Sequence, residues 1–115
     1  MEQEFSLNTE VRDNCLIITT AGYVNNTGGE AIAQAFADHF AKGIKNIVIN
    51  LAQTKVVNSI GMSHLIEIIE QTNDANGKLI FTDLDPAVEK MLTIMGIFNF
   101  AGKESSVADA LNTIK

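Results

Sequence analysis

The sequence predicts an α/β fold with a mostly parallel central sheet of four to five strands, an antiparallel hairpin at the amino-terminal end and four helices. Two observations carry this prediction. Short apolar, β-branched segments alternate with longer segments whose apolar residues recur at helical spacing. Segment 44–51 contains Ile47, Val48 and Ile49 in succession, which is typical of a strand covered on both faces. Strands that alternate with helices are joined by right-handed crossovers, so most strands are expected to lie parallel within a single domain, 1–115.

The chain begins with a predicted hairpin. Apolar and polar residues alternate over residues 5–11, Asp13-Asn14 provides a turn, and residues 15–20 are apolar and β-branched. Cys15 is the only cysteine, so no disulfide within the chain is possible, and its apolar neighbours indicate a buried strand thiol.

A first helix is predicted after this hairpin. Thr27 and Glu30 have the spacing of a capping box, in which each side chain bonds to a backbone N–H group at the start of the helix. The helix is therefore expected to begin at Thr27. Gly43 is placed to end it in a left-handed conformation.

A second amphipathic helix is predicted after the central strand. Its apolar stripe consists of Met62, Leu65, Ile66 and Ile69. Its outward face is expected to carry Ser63, His64, Glu67, Glu70 and Gln71.

The remaining elements follow from turn and capping signals. Residues 78–82 are predicted to form a strand, and Asp85-Pro86 is typical of a helix start with proline in the first turn. Gly96 is expected to close that helix, residues 97–101 to form a short edge strand, and Ser106 to precede a last helix.

Charge and composition limit the possible partners and location. The chain has 14 acidic and 8 basic residues, a formal net charge of −6, and no cluster of lysine and arginine that would attract nucleic acid. No apolar run approaches the roughly 20 residues that span a bilayer, so direct membrane insertion is not expected. The amino-terminal residues lack the pattern of a signal peptide, which favours the cytoplasm.

Enzyme and cofactor motifs are missing from the sequence. There is no phosphate-binding loop and no glycine-rich dinucleotide motif. His39 and His64 lie on different predicted helices without nearby ligands at metal-binding spacing, and Ser63 and His64 are adjacent, so their side chains diverge on a helix. We therefore expect no enzyme activity, no metal and no cofactor.

The turn between the central strand and the second helix carries the most informative motif. Its residues are Val57, Asn58, Ser59, Ile60, Gly61 and Met62. This motif, together with the order of the other elements, resembles the STAS domain of bacterial anti-sigma-factor antagonists. The family signature is a hydrophobic residue, Asp-Ser, a small hydroxyl residue, Gly and an apolar residue. Asn58 and Ile60 are the two departures from it.

The resemblance implies a regulatory protein that binds a serine-kinase anti-sigma factor, with phosphorylation of Ser59 ending the complex and a phosphatase as a possible further partner. It also implies a STAS-like fold. The expected partner-binding residues are Asn25, Asn58, Ser59, Ile60, Gly61, Ser63, His64 and Glu67.

Three alternatives remain open at this stage. Asn58 or Ser59 is also a preferred helix cap, a role that requires no phosphorylation and is compatible with it. A second alternative is that the chain is the small cytoplasmic STAS subunit of a lipid-transport ABC system, which acts without phosphorylation. A sensor of a nucleotide or other small ligand ranks last, because no phosphate-cradling loop is present.

Overall fold

The computed structural model describes residues 4–114. Within this range the strands are β1 (Ser6–Arg12), β2 (Cys15–Ala21), β3 (Asn46–Gln53), β4 (Leu79–Thr82) and β5 (Gly102–Glu104). The helices are α1 (Asn26–Phe40), α2 (Ser59–Asp74), α3 (Pro86–Ile94) and α4 (Val107–Ile114), and a 3₁₀ helix covers Ile97–Asn99.

The five strands form one sheet in the order β1-β2-β3-β4-β5. β1 and β2 are antiparallel, and the other neighbouring strands are parallel. The predicted hairpin turn is confirmed: Asp13 and Asn14 have φ angles of 54° and 61°, the left-handed conformation that suits a two-residue hairpin loop. The predicted α/β fold, with a mostly parallel sheet and an amino-terminal hairpin, is confirmed.

β3 lies in the centre of the sheet and is buried on both faces. Ile47 and Ile49 pack beneath α1, α2 and α3, whereas Val48 faces α4 together with Cys15. This arrangement explains the apolar run from Ile47 to Ile49, because neither face of the strand meets solvent at these positions. Burial raises the pKa of the Cys15 thiol to about 11, opposed by a backbone hydrogen bond from Val48.

The predicted edge strand over residues 97–101 is wrong. Gly96 adopts a left-handed φ of 75° after α3, and the chain turns at once into the 3₁₀ helix. The ring of Phe98 then packs edge-on against Phe81 at a centroid distance of 6.4 Å. These apolar contacts hold the segment against the core, and the edge of the sheet is formed instead by β5, which follows it.

Two details of the predicted helices also need correction. On α2 the buried stripe includes Ile68, whereas Ile66 is only partly buried. The spacing of Val88, Met91, Leu92 and Met95 predicts the apolar stripe of α3, but α3 ends at Ile94, and Met95 lies in the turn and is exposed. In both cases the burial of an apolar side chain depends on the packing of neighbouring elements and on where the helix ends, and not on helical spacing alone. No helix among residues 4–114 is long and apolar enough to cross a membrane.

Candidate functional site

The loops that precede α1 and α2 follow the carboxyl-terminal ends of β2 and β3, and they are hydrogen-bonded to each other. Val24 and Val57 form an isolated parallel bridge. The Val24 N–H donates to the Val56 carbonyl at 3.0 Å, and the Asn58 N–H donates to the Val24 carbonyl at 3.1 Å. The amino-terminal ends of the two helices are therefore held side by side by backbone hydrogen bonds.

Each of these helices is capped by an asparagine. The Asn25 Oδ1 accepts from the Gly28 N–H at 3.0 Å, and the Asn58 Oδ1 accepts from the Gly61 N–H at 2.8 Å. The predicted start at Thr27 is wrong, because the cap at Asn25 satisfies the first backbone donors and α1 begins at Asn26. The repeated spacing Asn-x-x-Gly is the sequence signal that would have located both caps.

The close approach of the two helices requires glycine at two positions. A Cβ atom at Gly61 would collide with the carbonyl oxygen of Val24. A Cβ atom at Gly29 would lie 2.5 Å from the His64 Cδ2 atom. Gly61, an expected partner-binding residue, is therefore buried and sets the spacing of the loops, so its own surface is not available to a partner.

Ser59 is the first residue of α2 and is exposed. No hydrogen bond engages its hydroxyl group in the part of the chain that the structure describes, because the neighbouring Asn58 provides the cap. The backbone N–H groups of Ser59 and Ile60 are likewise without a partner among residues 4–114. The free hydroxyl thus lies beside unpaired donors at the positive end of the helix dipole.

His64 is half-buried, which corrects the expectation that it faces outward. Its Nε2 atom is 3.1 Å from the Oδ1 atom of Asn26, and the Asn26 Nδ2 group donates to the Glu30 Oε1 atom at 3.3 Å. Because the Asn26 amide nitrogen faces Glu30, its oxygen faces His64, and Nε2 must carry the proton. His64 therefore connects α2 to the first turn of α1. This contact depends on the packing of the two helices, so the sequence alone does not indicate it.

The other expected partner-binding residues lie on α2 and on the adjacent loop before α1. Ile60 is 54% exposed beside Ser59, although it is a large apolar residue. Ser63 is exposed and its hydroxyl donates to the Ser59 carbonyl at 3.0 Å. Glu67 is exposed one helical turn after Ser63, and Asn25 is half-buried on the adjacent loop. Within the described range no group of three or more His, Cys, Asp or Glu side chains is placed to hold a metal ion.

Comparison with known proteins identifies the family of this fold and of this turn. The sequence matches the STAS domain over residues 6–110. The chain belongs to the STAS family. BtrV of Bordetella bronchiseptica, assigned as an anti-sigma factor antagonist, is 27% identical over 104 residues, which are 88% of this chain and 90% of BtrV.

Solved structures of STAS proteins share the fold at low sequence identity. An anti-sigma factor antagonist from Mycobacterium paratuberculosis superposes with a TM-score of 0.84 at 19% identity, covering 96% of this chain and 94% of that one. SpoIIAA of Bacillus in its phosphorylated form gives a TM-score of 0.75 at 16% identity, covering 97% of this chain and 100% of that one. These likenesses confirm the predicted STAS fold.

The role of Asn58 as a cap leads to a prediction for this STAS domain. We expect Asn58→Ala to lower the free energy of unfolding by about 1 kcal/mol, because the Gly61 N–H loses its acceptor. Asn58→Asp keeps the acceptor and places a negative charge at the helix start, so it should be at least as stable as the natural chain. Urea denaturation followed by circular dichroism measures both variants. Equal stability of Asn58→Ala and Asn58→Asp would show that the cap contributes nothing.

Proposed function

We propose that this STAS protein is a cytoplasmic anti-sigma-factor antagonist that binds a serine-kinase anti-sigma factor and is released when Ser59 is phosphorylated. In this role the chain is one regulatory domain that acts by binding and catalyses no reaction. The docking surface consists of the Ser59 turn, the Asn25 loop and the exposed side of α2. Both BtrV and the mycobacterial structure carry the description of anti-sigma factor antagonist, which supports the proposal.

The observation that carries the proposal is the free Ser59 hydroxyl at the start of α2. A serine that caps its own helix would lose that bond on phosphorylation, but here Asn58 makes the capping bond instead. The hydroxyl can therefore be modified without removing any hydrogen bond of the described structure. In this proposal Asn58 caps the helix and Ser59 is the phosphoacceptor, so the two roles fall to different residues.

A phosphate on Ser59 would affect a partner much more than it would affect the domain itself. At the start of α2 the phosphate oxygens lie near the unpaired N–H groups of Ser59 and Ile60 and the positive end of the helix dipole, so the fold is preserved. The phosphate adds a charge of about −1.5 to −2 to a chain whose net charge is already −6. A partner seated on this turn would face both electrostatic repulsion and the cost of desolvating the phosphate.

Binding to a purified serine-kinase anti-sigma factor tests the proposal. Isothermal titration calorimetry should show a stoichiometric complex with the unmodified chain, and Ser59→Ala should form the same complex because the hydroxyl makes no structural bond. With ATP present, the complex of the natural chain should dissociate over time, whereas that of Ser59→Ala should persist.

The same experiment separates the proposal from a transporter role. Stable co-purification with a lipid-transport ATPase, with no binding to any soluble serine kinase of the same cell, would contradict the proposal and favour the ABC-system subunit.

A further inference from the structure

A groove of about 390 Å³ runs between the exposed sides of α1 and α2. Its two walls have the same chemistry: a glutamate followed four residues later by a glutamine, Glu30 and Gln34 on α1 and Glu67 and Gln71 on α2. Each wall therefore carries one acidic side chain, Glu30 on α1 and Glu67 on α2. All four of these residues are exposed, so the groove is open to a partner.

The floor of the groove is apolar and shallow. Ala33 and Ala37 line it from α1, and the buried side chains Phe36 and Ile68 close it from below. The two alanines leave space between the helices that a larger side chain would fill. An occupant would therefore place apolar side chains in this space, over the two alanines.

The charge and length of the groove indicate the kind of occupant that fits. No lysine or arginine lines it within the described chain, and the net charge of the protein is −6. The wall from His64 to Gln71 covers eight residues of helix, or seven steps of about 1.5 Å each, which is about 10 Å. This length accommodates about two turns of a third helix laid between α1 and α2.

The groove is continuous with the proposed docking surface. His64 lines it and hydrogen-bonds to Asn26, which adjoins the Asn25 cap. Ser59 lies on the same helix, one and a half turns before His64, at about 3.6 residues per turn. A partner seated over the Ser59 turn would therefore reach the groove without crossing another element.

We propose that this groove binds a short amphipathic helix of the kinase partner, with apolar residues along its centre and lysine or arginine on both flanks. Such helix-in-groove recognition places apolar anchors on the floor and charges on the rim. The basic flanks would face Glu30 on one wall and Glu67 on the other. This inference rests on the proposed function, because it names a second contact of the same partner.

Two matched pairs of variants test the inference by calorimetric titration with the purified serine-kinase anti-sigma factor. Glu67→Lys reverses a charge on the groove, whereas Glu10→Lys reverses an exposed charge on β1, near the hairpin turn and away from α1 and α2. Ala37→Trp fills the groove, whereas Ala108→Trp places the same ring on α4, across the sheet.

We expect Glu67→Lys to weaken binding about tenfold at low salt and less at high salt, because a rim charge acts through screened electrostatics. Ala37→Trp should weaken binding about tenfold or more at any salt concentration, because the block is steric. Glu10→Lys and Ala108→Trp should change the affinity by about twofold or less, because neither residue lies in the proposed contact. Circular dichroism verifies that all four variants are folded.

Each other outcome has a definite meaning. If the kinase binds the natural chain and all four variants equally, the groove inference is overturned and the proposed function stands. If the kinase fails to bind the natural chain at all, both are overturned. If sedimentation shows a dimer of the natural chain that Ala37→Trp dissociates, the occupant is a second copy of this chain and the inference is overturned.

Discussion

Ser59→Asp is expected to weaken binding to the serine-kinase anti-sigma factor by more than about a hundredfold, equivalent to about 3 kcal/mol of binding free energy. The carboxylate places a negative charge on the exposed first residue of α2, where a docked partner would have to desolvate it. The same charge is favourable to the helix itself, because it lies at the positive end of the dipole. Calorimetric titration measures the loss of affinity, and thermal unfolding should show an unchanged or slightly higher midpoint.

Ser105→Asp is a matched control for this variant. Ser105 is exposed and lies between β5 and α4, and β4 separates β5 from β3, the strand that the Ser59 turn follows. The control adds the same charge to the protein, so it reports the effect of net charge alone and should bind almost as tightly as the natural chain. If Ser59→Asp retains full affinity, the partner does not dock over this turn.

Gly61→Ala is expected to lower the free energy of unfolding by about 3 kcal/mol, at the upper end of the range for overpacked sites. The added Cβ would collide with the carbonyl oxygen of Val24. That carbonyl also accepts the hydrogen bond from Asn58, so relief of the collision would separate the two loops. Partner binding should be lost together with stability, because the Asn25 and Ser59 loops would no longer share one surface.

Gly43→Ala separates this steric effect from the general cost of replacing glycine. Gly43 has a φ of 92°, and a Cβ atom added there would meet no other atom within 4 Å. Its replacement therefore costs only the conformational strain of the left-handed region, about 1 kcal/mol. Gly43 lies between α1 and the amino-terminal end of β3, whereas Ser59 follows the carboxyl-terminal end of β3, so the two residues lie at opposite ends of the strands. Chemical denaturation should give Gly61→Ala a clearly lower free energy of unfolding than Gly43→Ala. Kinase binding by Gly43→Ala should be unchanged. Equal stabilities would contradict the close approach of the two loops.

The order of elements could be predicted because it depends on local patterns. The apolar run of β3, the turn at Asp13-Asn14 and the proline at the start of α3 each act within a few residues. The strand prediction for segment 97–101 is wrong because Ile97 is buried in the core and Phe98 packs against Phe81, which is distant in sequence. A short apolar run has no period that distinguishes a strand from a turn packed on the core.

The candidate site could be predicted in part for the same reason. Ser59 follows a strand and begins a helix, and both features are visible in the sequence. The contact of His64 with Asn26 joins residues 38 positions apart, so no local pattern indicates it. The groove between α1 and α2 likewise exists only when the two helices pack side by side, and Glu30 has no sequence motif that marks it as part of a surface.

Mapping of the phosphate after incubation with the kinase and ATP tests the central claim most directly. The purified serine-kinase anti-sigma factor is incubated with the natural chain and with Ser59→Ala, and each product is analysed by tandem mass spectrometry and returned to the binding assay. We predict one phosphate on Ser59 of the natural chain, none on Ser59→Ala, and loss of kinase binding by the phosphorylated chain alone. A kinase that binds the natural chain but leaves Ser59 unmodified, or a phosphorylated chain that binds as tightly as before, would contradict the account.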